Sequence, residues 1–304
     1  TSDEAHVRAL DNATEYRAIQ VPTLADMLAR HGKRFGYASG QSSGGSLIWT
    51  RNQSYPFATV ASTYGRSDMQ AIWDKLGKPP ERVAANPSRT PHSHWAKRAL
   101  IELFPNDPTY DVMMLYMTEP DFSLHLHGLG SPEVDKVLRE CDEVIAEIID
   151  VMEQRKIRDQ FDIIVLSDHG HSSVAASGTL TEHLERASKV LGSEIPPLAV
   201  ASDYIYAAAG SPQPTVRQLE PVVRWLQEQT WTGSVFGTGE RADLPGVIPF
   251  SALWNGVEGD RAPLLGVNPA WSHDANECGV PGTLAALTEH ASKMSTHGSC
   301  SPYE

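Results

Sequence analysis

Two short stretches of the chain gather carboxylates and imidazoles of the kind that hold metal ions. In Glu119-Pro-Asp-Phe-Ser-Leu-His125, Asp121 is followed four residues on by His125, and in Ser167-Asp-His-Gly170, Asp168 is followed at once by His169. Oxygen and nitrogen donors with no thiol among them suit Zn²⁺, Mn²⁺ or Fe far better than Ca²⁺. If both pairs serve one site, two ions about 3.5–4 Å apart would clamp the attacking and leaving oxygens of an in-line phosphoryl displacement. Taken singly, each pair also has a plain structural role, since a strand-end aspartate caps the next helix and a histidine beside it is hydrogen-bonded or solvated. The joint pattern is what points to metal. His127 and His171, two residues beyond His125 and His169, read as neighbours of the ligands rather than ligands. His92 and His94, in Thr90-Pro-His-Ser-His94, read as a polar loop.

A strand–helix–strand unit would bring the two pairs together. Asp111-Val-Met-Met-Leu-Tyr-Met117 is an apolar, strand-length run that leads into Thr118-Glu-Pro-Asp121. Ser131 is placed to cap a helix whose first residue is Pro132, and Val134, Val137, Leu138, Cys141, Val144, Ile145, Ile148 and Ile149 recur at the spacing of one buried face. Phe161-Asp-Ile-Ile-Val-Leu-Ser167 reads as a second strand and ends in Asp168-His-Gly. That order predicts parallel strands covered on both faces. In an open parallel sheet, ligands gather outside the carboxyl ends of the strands, where Asp121 and Asp168 would both stand.

Upstream, Thr23 can cap a short helix with apolar Leu24, Met27 and Leu28, and Gly32 can end it. A strand over Arg34–Ala38 comes next, then the Ser/Gly-rich residues 39–46, which read either as a flexible connection or as a loop that approaches a ligand. Downstream come several shorter elements, among them Leu180–Val190, and a strand over Ala199–Ala208 followed by a helix over Val216–Gln229 suggests a small α/β insertion.

Composition bounds these expectations. The chain has 304 residues, 40% hydrophobic against 21% charged, which is long and apolar enough to bury a large core and excludes disordered and fibrous classes. A net charge of −13 repels the phosphate backbone, so duplex nucleic acid is not an expected partner. No stretch approaches the roughly 18 consecutive apolar residues of a membrane span. Cys141, Cys278 and Cys300 are too widely spaced for a disulfide framework or a metal knuckle. The first residues, from Thr1, have neither the basic nor the apolar region of a signal peptide.

Taken in order, Glu119–His125, Ser167–Gly170 and Thr296-His-Gly298 resemble the metal-ligand signature of the alkaline phosphatase superfamily. The similarity is greatest to its type I phosphodiesterase/nucleotide pyrophosphatase branch. The stretch Pro22-Thr-Leu-Ala-Asp-Met-Leu28 and the adjoining Gly32-Lys-Arg-Phe-Gly-Tyr-Ala-Ser-Gly40 are similar to the segment just after the nucleophile loop in that branch. The resemblance implies an α/β fold with a mainly parallel sheet sandwiched by helices. Residues 1–174 and 291–304 would form the alkaline phosphatase-like core, and residues 175–290 a smaller inserted α/β cap. It implies two divalent ions, zinc first and manganese as the alternative, with Asp121, His125 and His297 holding one and Asp168 and His169 contributing to the other.

The reaction implied is hydrolysis of a phosphodiester or nucleotide pyrophosphate bond, in a phosphorylated small molecule or nucleotide, through a covalent Thr or Ser intermediate. The nucleophile and a further second-site aspartate would precede the helix near Thr23, and the about twenty residues there contain neither. The catalytic nucleophile is thus not found, and the chain is expected to be an internal portion of a longer enzyme, with core missing at both ends. A phosphomonoesterase or a phosphonoacetate hydrolase-like enzyme is the alternative within the superfamily, and a chain without a nucleophile would bind rather than catalyse. Cys300-Ser-Pro-Tyr-Glu304 resembles the Cys-x-Pro-x-Arg core of sulfatases, but Glu304 stands in the arginine position and the motif comes after His297, which excludes that reading.

Overall fold

The computed structural model describes residues 4–15, 18–41, 45, 49, 57–59, 67–81, 88–106, 110–192, 195–253, 259, 261–287 and 293–304. They divide into two units, one drawn from residues 1–123 and 132–165, the other from residues 124–131 and 166–304.

The first unit contains helices α1 (Glu4–Ala13) and α2 (Leu24–Arg30), strands β1 (Phe35–Ser39) and β2 (Phe57–Thr59), helices α3 (Ser67–Leu76) and α4 (Thr90–Asn106), and strand β3 (Val112–Tyr116). Helix α5 (Asp121–His127) begins in it, and the long helix α6 (Pro132–Gln154) closes it. Thr23 caps α2 as its sequence predicts: its hydroxyl accepts from Asp26 N at 3.2 Å, and the Asp26 carboxylate accepts from Thr23 N at 2.9 Å. Gly32 lies just past the helix in the left-handed region at φ +67°, a conformation that needs no Cβ. β1 is buried at every residue because it lies between β2 and β3, parallel to both, with Phe35 opposite Val112 and Ser39 opposite Tyr116. Its alternating side chains serve two cores. Phe35 and Tyr37 pack with Ala25, while Ala38 packs with Ile72, Trp95, Ala99 and Leu100.

Three expectations for this unit are corrected. His92 and His94 belong to α4 rather than to a polar loop, because Pro91 is tolerated in a first helical turn and Trp95, Ala96, Ala99 and Leu100 give the segment a buried face. His92 is itself buried, its Nε2 lying 3.0 Å from Pro80 O. On α6 the buried face is carried by Val134, Val137, Val144 and Met152, whereas Leu138 is half exposed. The run Phe161–Ser167 forms no strand, and Ile164, Val165 and Leu166 are 80, 68 and 75% exposed. Apolar, β-branched composition favours a pleated surface but does not supply the ladder partner that makes a strand. Among the described residues the sheet stops at β3, so the predicted strand–helix–strand unit lacks its second strand.

The second unit contains β4 (Ser172–Gly178), α7 (Leu180–Leu191), β5 (Leu198–Ala201), β6 (Tyr204–Ala207), α8 (Val216–Gln227), β7 (Thr232–Gly237), β8 (Val247–Pro249), β9 (Leu265–Pro269), β10 (Trp271–Ala275), β11 (Pro281–Leu287) and β12 (Ser295–Thr296). Two sheets result, in the orders β10-β11-β4-β12 and β5-β6-β9-β7-β8. Both are mixed: β4 is parallel to β11 and antiparallel to β12, and β7 is parallel to β8 and antiparallel to β9. The fold is therefore α/β, but the mainly parallel sheet expected from the sequence is not what forms. The short loops after β5 and β10 can only join antiparallel neighbours. The expected single strand over Ala199–Ala208 is a hairpin, turned at Ser202 with φ +53°, which pairs Ala201 with Tyr204. Leu219, Val222, Val223 and Leu226 line one face of α8 and pack with Leu184, Ile205, Val235 and Leu265 in the unit's main core.

Candidate metal centre

Helix α5 places Asp121 in its first turn and His125 one turn later, on the same face. The strand pair β4–β12 places the other imidazoles. Ser295 is opposite Ser173 and Thr296 opposite Ser172, so continuing the antiparallel register by one residue sets His297 across from His171. The end of α5 is tied to β12 through carbonyls that a helix terminus leaves free. Met294 N donates to His125 O at 2.8 Å, and Ser295 Oγ donates to Leu124 O at 2.7 Å.

Ligand atoms of Asp121, His125, His171 and His297 lie within 4.8 Å of one another. The rings of His125, His171 and His297 are 4.9–5.1 Å apart, centre to centre. His171 is buried and the other three are half-buried. One carboxylate and three imidazoles match the donor set of a zinc or manganese site. The hydrogen bonds also orient two of the rings. His125 Nδ1 lies 2.7 Å from Ser295 O, a carbonyl that can only accept, so Nδ1 is the donor in this bond.

Of the five residues predicted as ligands, Asp121, His125 and His297 are brought together here, and Asp168 and His169 stand beside them. The His169 ring stacks on His297 at 3.6 Å between centres, its Nε2 lies 3.6 Å from Asp168 Oδ1, and its Nδ1 lies 3.0 Å from Gly170 O. His171, which by sequence reads as a neighbour of ligands, is itself in the group. The signal for it is the alternation of a strand entry, but that needs the pairing with β12, which sequence spacing does not contain. His127 is not in the group.

Other supporting residues carry no signal in the sequence. Asn276 Nδ2 donates to Leu129 O and to Ser173 Oγ, both at 2.9 Å, fixing the turn after α5 to β4. The Glu304 carboxylate accepts from Gly298 N and from Ser299 N, and so orders the chain just beyond His297. Glu119 is buried and accepts from Arg89 N at 2.6 Å and Ser123 N at 3.1 Å. Burial pushes its carboxyl pKa up, and the backbone donors oppose that shift.

A sequence profile described as type I phosphodiesterase / nucleotide pyrophosphatase matches residues 25–263. The chain is 32% identical over 73 residues to human ectonucleotide pyrophosphatase/phosphodiesterase family member 7, which is 24% of this chain and 16% of that protein. It is 31% identical over 65 residues to venom phosphodiesterase 2 of Crotalus adamanteus, which is 21% of this chain and 8% of that protein. Murine ectonucleotide pyrophosphatase/phosphodiesterase 5 superposes with a TM-score of 0.48 at 16% identity, over 89% of this chain and 57% of that one. The matches thus span only part of these longer proteins.

Proposed function

The chain belongs to the type I phosphodiesterase / nucleotide pyrophosphatase family, and on that premise we propose that it is the metal-bearing portion of a hydrolase of phosphodiester or nucleotide pyrophosphate bonds. The observation that carries this reading is the group of Asp121, His125, His171 and His297, whose ligand atoms lie within 4.8 Å of one another. In this proposal Asp121, His125 and His297 hold one divalent ion, and Asp168 and His169 contribute to a second, zinc or manganese in each case. Such ions, when bound, neutralise charge on a phosphoryl group and lower the pKa of a coordinated hydroxyl or water.

The protein's own contribution is to hold its donors ready. Asp121 is fixed relative to His125 by one helical turn, and His125 by its bond to Ser295 O. Bound divalent ions would offset locally the net charge of −13, so that an anionic phosphorylated small molecule or nucleotide could approach. The attacking group is proposed to be a Thr or Ser hydroxyl that forms a covalent intermediate with phosphorus, and residues 175–290 to be the cap that selects the leaving group.

The test is hydrolysis of bis-p-nitrophenyl phosphate and of a dinucleoside pyrophosphate by the natural full-length protein with zinc or manganese, beside p-nitrophenyl phosphate. Preference for the diester and pyrophosphate, abolished in Asp121→Ala, is expected. A clear preference for the monoester would overturn the assignment to diesters.

A further inference from the structure

Asn276 opens the turn over residues 276–280 that joins β10 to β11, and it uses every hydrogen-bonding position of its side chain. A carboxamide has two N–H donors and an oxygen with two lone pairs. Here Oδ1 accepts from Cys278 N at 2.9 Å and from Val280 N at 3.0 Å. Nδ2 donates to Leu129 O and to Ser173 Oγ, both at 2.9 Å. A main-chain N–H cannot accept and a carbonyl cannot donate, so these partners leave one orientation of the amide. The main chain of Asn276 is held as well, its N donating to Val280 O and its O accepting from Gly279 N, both at 2.9 Å. The side-chain oxygen therefore builds the turn. The nitrogen joins that turn to two separate segments, one just beyond the end of α5 and the other within β4.

Each of those segments leads to donors of the metal centre. Helix α5 carries Asp121 and His125 and has only 7 residues, a length that does not hold itself together in water. Its exit is held by β12, through His125 O and Leu124 O, and by Asn276, through Leu129 O. Gly130, at φ +80°, packs on the same turn, where a Cβ would lie 2.8 Å from Val280 Cγ2 and 3.0 Å from Cys278 Cβ. Ser173 is buried, follows His171 on β4 and stands opposite Ser295, which precedes His297 on β12. We propose that Asn276 is a positioning residue of the metal centre, which clamps the exit of α5 to β4 and so fixes Asp121 and His125 relative to His171 and His297. The turn and the clamp can be separated by mutation. Asn276→Asp keeps an acceptor for Cys278 N and Val280 N but sets a second oxygen against Leu129 O, so the turn survives and the clamp does not.

The inference rests on the reading of this group as a metal centre, and the experiment keeps the two apart. In the natural full-length protein, hydrogen exchange of residues 124–131 and of the 276–280 turn, measured without metal, reports the clamp. Zinc titration and the visible spectrum of the cobalt form report the site. In Asn276→Asp, residues 124–131 should exchange faster while the Cys278 and Val280 amides stay protected. Zinc affinity should fall by about tenfold, the low end for loss of an outer partner, and the cobalt bands should change shape. Ser173→Ala, which removes one of the two clamp bonds and leaves the turn whole, should act in the same direction by less. Leu219→Ala, at a fully buried position in the core around α8, should lower stability yet leave zinc affinity and the cobalt spectrum as in the natural protein. Affinity and spectrum unchanged in both Asn276→Asp and Ser173→Ala, or lowered equally by Leu219→Ala, would overturn the proposal and leave the metal reading standing. Should Asn276→Asp fail to fold, Ser173→Ala decides. A natural protein with residues 124–131 protected that binds neither zinc nor cobalt would overturn the metal reading, and the positioning role with it.

Discussion

His171 and Asp168 are three residues apart in sequence, yet the structure holds them by different means. His171 immediately precedes β4, is 7% exposed, and is bonded through Ser295 to the end of α5. Asp168 follows a run that joins no sheet among the described residues, and its side chain is 50% exposed beside the 25% exposed His169. The difference is made by β12. Two residues of strand pairing are enough to bury one imidazole and face it with another, whereas the apolar run before Asp168 has the composition of a strand but not the neighbour. A metal site is preorganised only as far as its supporting hydrogen bonds and strand pairs extend.

The contrast is most easily broken through stability. Leu284 on β11, which pairs with β4, is fully buried, and Leu284→Ala should cost about 2–5 kcal/mol in denaturant unfolding. Ile164→Ser, in a more apolar run, should change stability by no more than about 0.5 kcal/mol, since Ile164 is 80% exposed. A loss of several kcal/mol for Ile164→Ser would mean that the run is a buried strand after all.

A smaller effect sharpens the comparison at the ligands. Asp168→Ala should abolish the weaker of two zinc-binding steps in a calorimetric titration and leave the tighter step within about tenfold, because the hydrogen bonds that fix His125 and His171 do not pass through Asp168. Equal loss of both steps would show that the two groups act as one.

The smallest effect is on thiol chemistry, where burial again separates two regions. Burial first, then the charges of Glu119 and Glu140, pushes the Cys141 thiol up to about 12, so almost no thiolate forms at neutral or mildly alkaline pH. Labelling with a disulfide reagent should modify the exposed Cys278 and leave Cys141, which is only partly exposed, unmodified on the same timescale. Fast labelling of Cys141 in the folded protein would contradict the burial of α6.

Signals in the sequence are legible where the physics is local. Thr23 caps α2 as expected, and the helix expected over Val216–Gln229 forms as Val216–Gln227. The strand expected over Asp111–Met117 forms as Val112–Tyr116. Features that depend on pairing are less legible. The hairpin at Ser202 and the mixed direction of both sheets in the second unit need partners distant in sequence. At the candidate site, Asp121, His125 and His297 are singled out by residue type and order, whereas the place of His171 across from His297 follows from the β4–β12 register, which the sequence does not display.

The most direct test of the metal centre is the zinc content and zinc affinity of the purified, folded protein, measured beside His125→Ala. The account predicts stoichiometric zinc, or manganese on substitution, and a loss of more than about a hundredfold in affinity in the variant, beyond what removal of an outer partner costs. A folded natural protein that binds no transition metal after supplementation, or a His125→Ala variant with unchanged affinity, would contradict it.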